Sequence, residues 1–370
     1  MSGARTPLRD AHVLAPHFKR RLSGVTTTVV NLAPLQAAMM RERGRNLVTV
    51  GPGLPDGMPR AGGVPGLRWL SLLRRPRGAP RRVWHARRNV EMLPAIVLRD
   101  VLRAPLAVMF TSDAQRRHTG YTRWLLRRMD RVVAGCESAR RFLSVPASVV
   151  MHGVDTERFR PAADRDALRR SLGLDPEARY VGCFGRVREN KGVGDFVDAA
   201  IRLLPERPGW TAVIGGRTTA EHAGFERALR ERIASAWLDE RIRFLGEVPG
   251  RAPFEALDLY VAPQHVEGYG LTPLEAMACG VPVVATRAGA FTEMVTPRTG
   301  RVVPCRDVDA LAVAMAALMD DDALRERMAR AARAHVEASF PLEGEAAALC
   351  AIYDELLGDE PIDRRGREPG

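Results

Sequence analysis

One segment of the chain places cationic residues at a glycine turn in a way that suits phosphate binding. It is Phe184–Gly192, FGRVRENKG, in which Arg186 and Lys191 follow an apolar run. Arginine holds phosphate through paired hydrogen bonds, and lysine supplies a point charge. Lysine is rare in this chain, since Lys19 is the only other one. We therefore predict a phosphate-binding loop, with a solvated turn as the alternative.

A second segment, Glu267–Gly280, combines carboxylates with a glycine turn in EGYGLTPLEAMACG. Gly268 and Gly270 allow the backbone to approach a ligand closely. The helix that follows directs its first N–H groups toward the same point, which favours an anion. Glu267 and Glu275 flank the turn, and carboxylates accept hydrogen bonds from paired sugar hydroxyls. The alternative is a glycine-rich turn with two solvated glutamates.

The elements that must position these segments alternate short apolar runs with longer amphipathic stretches, which indicates βα units and parallel sheets. We predict an α/β fold with two Rossmann-like domains, 1–155 and 156–340. A helix at 341–357 is expected to pack back on the first domain, and 358–370 to be a disordered tail. Because such sheets bind ligands at the carboxyl ends of their strands, the site is expected in a cleft between the domains.

The predicted strands and helices are clearer in the second half. The predicted strands are Asn46–Val50, Ala107–Thr111, Asp130–Ala134, Ala147–Met151, Arg179–Phe184, Trp210–Ile214, Arg241–Leu245, Leu257–Ala262 and Val281–Ala285. The predicted helices are Gly192–Leu204, Glu221–Ala236, Leu271–Ala278, Val308–Ser339 with a break, and a last one ending near Leu357.

Charge is distributed unevenly over the 370 residues, whose net charge is +12. Residues 1–150 hold 27 Lys+Arg and 8 Asp+Glu, whereas residues 151–370 hold 29 and 36. A basic half attracts phosphates of nucleic acid, anionic lipid or glycolipid. We find neither a long apolar run nor a signal-peptide pattern, so we expect a cytoplasmic protein. The five cysteines lack C-x-x-C spacing, which favours reduced thiols over a disulfide framework or a zinc site.

Together the two segments resemble the retaining glycosyltransferases of family 4, which have the GT-B fold. FGRVRENKG is similar to that family's G-R-x-x-x-x-K-G loop, and Glu267-x7-Glu275 to its E-x7-E motif. The resemblance covers Met151–Ser339 well and the first half more loosely. It implies two Rossmann-like domains that face each other across a cleft and transfer a sugar from a nucleotide.

The resemblance also implies roles for single residues. Arg186 and Lys191 would hold the donor pyrophosphate, Glu275 the ribose, and Glu267 the hydroxyls of the transferred sugar. The base would lie near Gly246–Val248, and no metal or other cofactor is expected. The remaining predicted donor contacts are Gly24, Gly185, Val248, Gly268, Tyr269, Gly270 and Leu271. Gly24 belongs to Arg21–Thr28, which resembles the family's glycine loop; a helix-capping turn is the alternative.

The family often carries a histidine at a strand end near the transferred sugar, and this chain departs from that pattern. Phe110 stands at the corresponding position in AVMFTS. His118, in the polar stretch TSDAQRRHTGY, is our candidate catalytic substitute, and His85 is a second one. The alternative for each is an ordinary surface or hydrogen-bonded histidine.

The stretch from Thr111 through TRWLLRRMD resembles bacterial lipopolysaccharide core mannosyltransferases. That resemblance implies GDP-mannose as donor and the Kdo of a lipid A precursor as acceptor, at the inner face of the inner membrane. Five arginines could meet Kdo carboxylates or lipid phosphates, although charge runs usually form a solvated helix face. These are Arg116, Arg117, Arg123, Arg127 and Arg128.

Other functions remain open from the sequence. A transferase of the same fold could use a UDP-sugar for another glycan. A nucleic-acid-binding protein would fit the basic half, but the acidic second half and the lack of aromatic stacking motifs argue against it. A dinucleotide-dependent oxidoreductase would need G-x-G-x-x-G after its first strand, and none is found there. Retention by same-face attack, with the leaving phosphate helping to deprotonate the acceptor, is implied by the family resemblance.

Overall fold

The computed structural model describes residues 5–18, 24–52, 54–62, 70–248 and 250–358. The chain folds as two units, each with its own sheet. Unit 1 comprises Met1–Met151 and Leu342–Gly370, and unit 2 comprises His152–Pro341. The chain therefore enters unit 2 once and returns to unit 1 for its last helix.

Each unit contains a six-stranded parallel sheet, with order β3-β2-β5-β6-β7-β8 in unit 1 and β11-β10-β9-β12-β13-β14 in unit 2. Strands β1 and β4 pair separately. The unit 1 strands are β1 Thr6–Pro7, β2 Val13–Pro16, β3 Leu47–Val50, β4 Ala61–Gly62, β5 Arg82–Ala86, β6 Leu106–Ser112, β7 Arg131–Ala134 and β8 Ser148–Val149. Those of unit 2 are β9 Arg179–Phe184, β10 Trp210–Gly215, β11 Ile242–Gly246, β12 Leu259–Ala262, β13 Val283–Thr286 and β14 Gly300–Val303.

The helices connect the strands and cover the sheets. They are α1 Gly24–Glu42, α2 Asn89–Ile96, α3 Gly120–Leu126, α4 Glu137–Arg140, α5 Arg165–Ser171, α6 Val193–Leu203, α7 Ala223–Ser235, α8 Ala252–Glu255, α9 Thr272–Ala278, α10 Phe291–Met294, α11 Val308–Asp320, α12 Asp322–Ser339 and α13 Leu342–Leu357. A π-helical turn, Val97–Val101, extends α2. Short 3-10 turns occupy Leu8–Asp10, Ser71–Leu73, Glu189–Lys191, Leu204–Glu206 and Ala220–His222.

Helix boundaries in unit 2 follow capping chemistry. The predicted break within Val308–Ser339 is confirmed at Asp321, whose side chain accepts a hydrogen bond from the Leu324 N–H and starts α12. Asp307 caps α11 in the same way through the Ala310 N–H. Such side-chain acceptors satisfy N–H groups that have no partner within the helix. A capping carboxylate at the start of each helix therefore separates α11 from α12, although the apolar periodicity continues through both.

Two strands of unit 1 were not among the predicted ones, although they lie inside the sheet. β2 lies between β3 and β5, and β5 lies between β2 and β6. Arg82 and His85 interrupt the apolar pattern of β5, so the sequence does not indicate a buried strand there. The structure nevertheless buries both residues completely. The guanidinium of Arg82 is satisfied by backbone carbonyls, including that of Ala11 at 3.1 Å, and burial lowers its pKa to about 10.

Each unit has its own apolar core. In unit 2, β9, β10 and β12 pack against α6 and α11, with Phe196, Leu259 and Met315 fully buried. In unit 1, α13 packs against α1, and Leu32 and Tyr353 are among the buried residues. All five cysteines carry free thiols. Across the described ranges, no helix is both long and apolar enough to span a membrane.

Candidate active site

The strand order of unit 2 reverses between β9 and β12, which are neighbours in the sheet although β10 and β11 separate them in the chain. In open α/β sheets, ligands bind at such a point, beyond the carboxyl ends of the strands. The loop after β9 contains Arg186 and Lys191, and the loop after β12 contains Glu267. We call this edge of the sheet the carboxyl edge of unit 2.

Backbone and side-chain contacts hold these two loops together. The Asn190 carbonyl accepts hydrogen bonds from the N–H groups of His265 at 3.1 Å and Val266 at 3.4 Å. The His265 ring nitrogen Nε2 lies 2.8 Å from Asp195 Oδ2, on the first turn of α6. Sequence reasoning missed His265 and Asp195, because their pairing depends on β9 and β12 being adjacent. These contacts hold the two loops side by side, so that Lys191, which follows Asn190, faces Glu267, which follows Val266.

Lys191 and Glu267 form the central ion pair of this edge. The Lys191 ammonium Nζ donates to Glu267 Oε2, and the Gly268 N–H donates to Oε1 at 3.0 Å. The exposed fractions of the two side chains are only 15% and 20%, so solvent screens the pair less than a surface pair. Both carboxylate oxygens are thereby oriented, and the ammonium keeps two further N–H donors for an incoming anion.

The turn Gly268–Leu271 requires glycine at its third residue, Gly270. Gly270 has φ +85°, and a Cβ there would lie 2.4 Å from Phe291 Cε1. Within the described part of the chain, neither the Gly270 N–H nor the Leu271 N–H donates to another group. Two backbone donors beside a lysine are suited to an anionic oxygen.

Buried contacts anchor both loops from below. Tyr269 is buried, its hydroxyl donates to the His152 carbonyl at 2.9 Å, and the two rings meet edge to face. Gly192 has φ +69°, and a Cβ there would lie 1.8 Å from the Pro263 carbonyl oxygen. Tyr269 therefore positions the turn through its side chain, whereas Gly192 lets the start of α6 touch the end of β12.

Glu275 lies on α9 as a half-buried carboxyl group. Burial raises its pKa to about 7, and Arg158 opposes that rise. Its side chain has no hydrogen-bond partner among the residues that the structure describes. Beneath it, the fully buried Tyr260 hydroxyl donates to the Phe184 carbonyl at 3.2 Å, another contact that the sequence did not reveal. A ligand hydroxyl would supply the hydrogen bond that Glu275 lacks.

The other donor residues predicted in unit 2 lie at the same edge. Arg186 is exposed and has no acidic partner in the described ranges. The Gly185 N–H donates to the Gly215 carbonyl at 2.9 Å, and the Gly246 carbonyl accepts from Gly216 at 2.7 Å. Val248 follows β11 by two residues and is partly exposed. The structure thus places Gly185, Arg186 and Val248 beyond the ends of β9 and β11.

In unit 1, His118 lies beside the end of β6. Its Nε2 is 3.4 Å from Ser112 Oγ, and burial together with Arg116 lowers its pKa. His118 is therefore partly accessible and mainly neutral at pH 7.

Gly24 is the first residue of α1, whereas Arg21–Ser23, the start of the predicted glycine loop, lies outside the described residues.

His85 has a different setting, since it is fully buried within β5. Its Nδ1 lies 2.6 Å from the Tyr353 hydroxyl, and its Nε2 lies 2.7 Å from Thr111 Oγ1. Burial lowers the pKa of the ring well below its usual value. Both ring nitrogens are occupied by α13 and β6, so His85 has a structural role and is not available to a substrate.

A buried polar group at the ends of β2 and β5 was also missed. Arg88 Nη1 lies 3.1 Å from His17 Nδ1 and 3.4 Å from Glu91 Oε1, and the side chain of Glu91 is fully buried. Burial raises the pKa of Glu91. In the sequence, this group is indicated only by the i,i+3 spacing of Arg88 and Glu91 at a helix start, and that spacing is too common to identify a site.

Comparison with known proteins agrees with this geometry. The family "Glycosyl transferases group 1" matches residues 164–335. Over 359 residues the chain is 50% identical to the lipopolysaccharide core biosynthesis mannosyltransferase LpsB of Rhizobium meliloti, covering 95% of this chain and 99% of that protein. It is 49% identical over 357 residues to LpcC of Rhizobium leguminosarum bv. viciae, named as the same kind of enzyme, with coverage of 95% and 98%.

Solved structures share the fold at low sequence identity. The complex of HepE from Anabaena with UDP has a TM-score of 0.76 at 18% identity and covers 93% of this chain and 100% of that one. Sucrose-phosphate synthase from Thermosynechococcus elongatus has a TM-score of 0.74 at 20% identity, with coverage of 93% and 98%. The chain is thus a glycosyltransferase with the GT-B fold. It belongs to the glycosyl transferases group 1 family.

Proposed function

We propose that this enzyme is a retaining mannosyltransferase that moves mannose from GDP-mannose to a lipopolysaccharide core acceptor, the Kdo of a lipid A precursor. The observation that carries the proposal is the Lys191–Glu267 ion pair, which joins the two motifs beside two unpaired backbone N–H groups. The identity of about one half with LpsB and LpcC, both named as core mannosyltransferases, supports mannose as the sugar and the lipopolysaccharide core as the class of acceptor.

In this proposal the donor binds along the carboxyl edge of unit 2. Arg186 and Lys191 neutralise the pyrophosphate, to which Gly270 and Leu271 donate backbone hydrogen bonds. Glu275 accepts from the ribose hydroxyls, which relieves its unpaired state. The base lies against Val248.

The same arrangement supports retention by same-face attack. Glu267 is already held by Lys191 and the Gly268 N–H, so its role is to orient hydroxyls of the transferred sugar. Lys191 stabilises the negative charge that develops on the departing phosphate. That phosphate then accepts the proton of the attacking acceptor hydroxyl, which enters on the same face. His118 is proposed to contact the transferred sugar.

The acceptor is proposed to be anionic and membrane-bound, with the enzyme peripheral at the inner face of the inner membrane. The excess of arginine in residues 1–150 supports this, because cations attract Kdo carboxylates and lipid phosphates. Arg116, Arg117, Arg123 and Arg127 are exposed, and within the described ranges none is paired with an acid.

The test is to incubate the purified protein with Kdo-lipid A and either GDP-mannose, UDP-glucose or UDP-N-acetylglucosamine. Acceptor-dependent release of GDP, with an α-mannoside product by NMR, is expected. Release of UDP instead would replace the donor, and a β-mannoside would overturn retention. Turnover of no donor, with salt-sensitive oligonucleotide binding that sugar nucleotides do not displace, would favour a nucleic-acid-binding function.

A further inference from the structure

The helical segment between β5 and β6 exposes a continuous apolar face. It consists of α2 and the π-helical turn Val97–Val101. Its exposed apolar residues follow one another at helical spacing, and between 39% and 69% of each residue's surface is accessible. They are Val90, Leu93, Val97, Val101 and Leu102. We call these five residues the apolar stripe.

The stripe is unusual by the standard of this protein's own surface helices. The exposed positions of α7 include Arg227, Arg230, Glu231 and Arg232, so that helix presents charges to water. Within residues 89–101, all of which the structure describes, the one exposed charged residue is Asp100, and Arg99 pairs with it at 2.7 Å. An amphipathic helix that directs its apolar face outward lacks a partner in the isolated chain.

Aromatic side chains on α3 lie next to the stripe. Asn89 donates to Thr122 at 2.8 Å, and Arg99 donates to the Arg128 carbonyl at 2.7 Å, so α3 runs alongside the segment. On α3, Tyr121 and Trp124 are exposed and stacked on each other, with ring centroids 6.3 Å apart. Tyrosine and tryptophan favour the boundary between lipid and water, because their rings are apolar and their polar groups need water.

Unpaired cations border this surface. The Arg128 guanidinium lies 4.0 Å from the centre of the Trp124 ring. Arg103, Arg123 and Arg127 are exposed, and among the described residues none has an acidic partner. An apolar face rimmed by arginines complements a bilayer that carries anionic headgroups. A soluble protein partner would more often require acids as well as apolar side chains on its own surface.

We propose that the apolar stripe, with Tyr121 and Trp124, inserts into the interface of an anionic membrane, while Arg103, Arg123 and Arg127 contact lipid phosphates. This inference deepens the proposed function, because it names the surface through which the enzyme would meet a membrane-bound acceptor. The ligand is the lipid surface itself, so binding does not require the acceptor sugar.

The experiment measures co-sedimentation of the full chain with vesicles that contain no acceptor. The vesicles are phosphatidylcholine alone, or phosphatidylcholine with phosphatidylglycerol. The wild type is expected to bind the anionic vesicles, and Leu93→Gln/Val97→Gln/Val101→Gln to reduce the partition coefficient by on the order of tenfold. Val313→Gln, at an equally exposed valine of unit 2, is the matched control and should bind as the wild type does.

Equal binding of the triple variant and the wild type would overturn the inference, and so would equal binding to neutral and anionic vesicles. If the triple variant instead changed only the sedimentation coefficient in the absence of lipid, the stripe would be an interface between copies of the chain. GDP-mannose affinity, measured on the same proteins, should be unchanged in the triple variant. Vesicle binding without sugar transfer would overturn the proposed function alone.

Discussion

The carboxyl edges of the two sheets are built in different ways. In unit 2, glycine conformations and backbone hydrogen bonds hold the loops after β9 and β12 in place. The side chains of Lys191 and Glu267 form an ion pair between these loops. In unit 1, the strand ends are held by buried polar side chains, such as His85 and Glu91. The first construction leaves polar groups available to a ligand, whereas the second uses them for folding. Histidine therefore does not have one role even within unit 1, where His85 is buried and hydrogen-bonded through both ring nitrogens and His118 is partly accessible.

The largest effect is expected from Lys191→Ala. Loss of the cation removes charge stabilisation from the leaving phosphate, which should lower kcat/KM about a hundredfold to a thousandfold. Steady-state GDP release measures this, and circular dichroism should show an intact fold. Arg227→Ala, which removes an exposed cation of α7, is the matched control. Normal turnover in Lys191→Ala would remove the pyrophosphate role.

His85→Ala should instead affect folding. The change leaves the Tyr353 and Thr111 hydroxyls without their partner, which should lower the free energy of unfolding of unit 1 by about 3 kcal/mol. Hydrogen exchange of peptides from β5 and α13 should accelerate, while exchange in β9 and β12 should not. Unchanged protection of β5 would contradict the structural role.

Glu275 predicts a pH dependence in unit 2. Burial raises its pKa from 4.5 to about 7, so the free protein is stabilised below pH 4.5 and loses this stability as pH rises toward 7. A bound ribose would favour the carboxylate. Donor affinity should therefore increase as pH rises from 5.5 to about 7, with release of a proton. Calorimetry in buffers of different ionisation enthalpy measures the proton, and Glu275→Gln should abolish its release.

The smallest effect is expected from His118→Ala. Loss of one hydrogen bond to the sugar should reduce kcat/KM by at most about tenfold, because a single neutral bond contributes about 1 kcal/mol. The unfolding transition should not move, since among the described residues the ring's hydrogen-bond contact is a weak one, 3.4 Å from Ser112 Oγ. A fall in stability like that of His85→Ala would instead make His118 structural and leave unit 1 without a candidate catalytic histidine.

The fold class and much of unit 2 were predictable because local patterns there agree with the final structure. β9 was predicted with its observed bounds, and the acidic caps of α11 and α12 explain the predicted break. β2 and β5 escaped prediction because their interior or flanking residues are polar. Arg82 and His85 are satisfied by groups distant in sequence, and no local pattern reveals such partners.

The candidate site was predictable in its residues but not in its contacts. Lys191 and Glu267 were assigned to phosphate and sugar separately, whereas the structure pairs them. That pairing follows from the adjacency of β9 and β12, which is a property of strand order and not of either segment. The raised pKa of Glu275 likewise arises from burial by the folded chain, which no local pattern reveals.

The return of the chain to unit 1 for its last helix has a consequence for biosynthesis. Tyr353 reaches His85 across a separation of 268 residues, and α13 supplies part of the unit 1 core. During translation, every residue of unit 2 leaves the ribosome before α13 does. Unit 1 is therefore the first unit to begin synthesis and the last to be completed. Until α13 packs against α1, the apolar side chains that α13 covers are exposed, and chaperones can bind them.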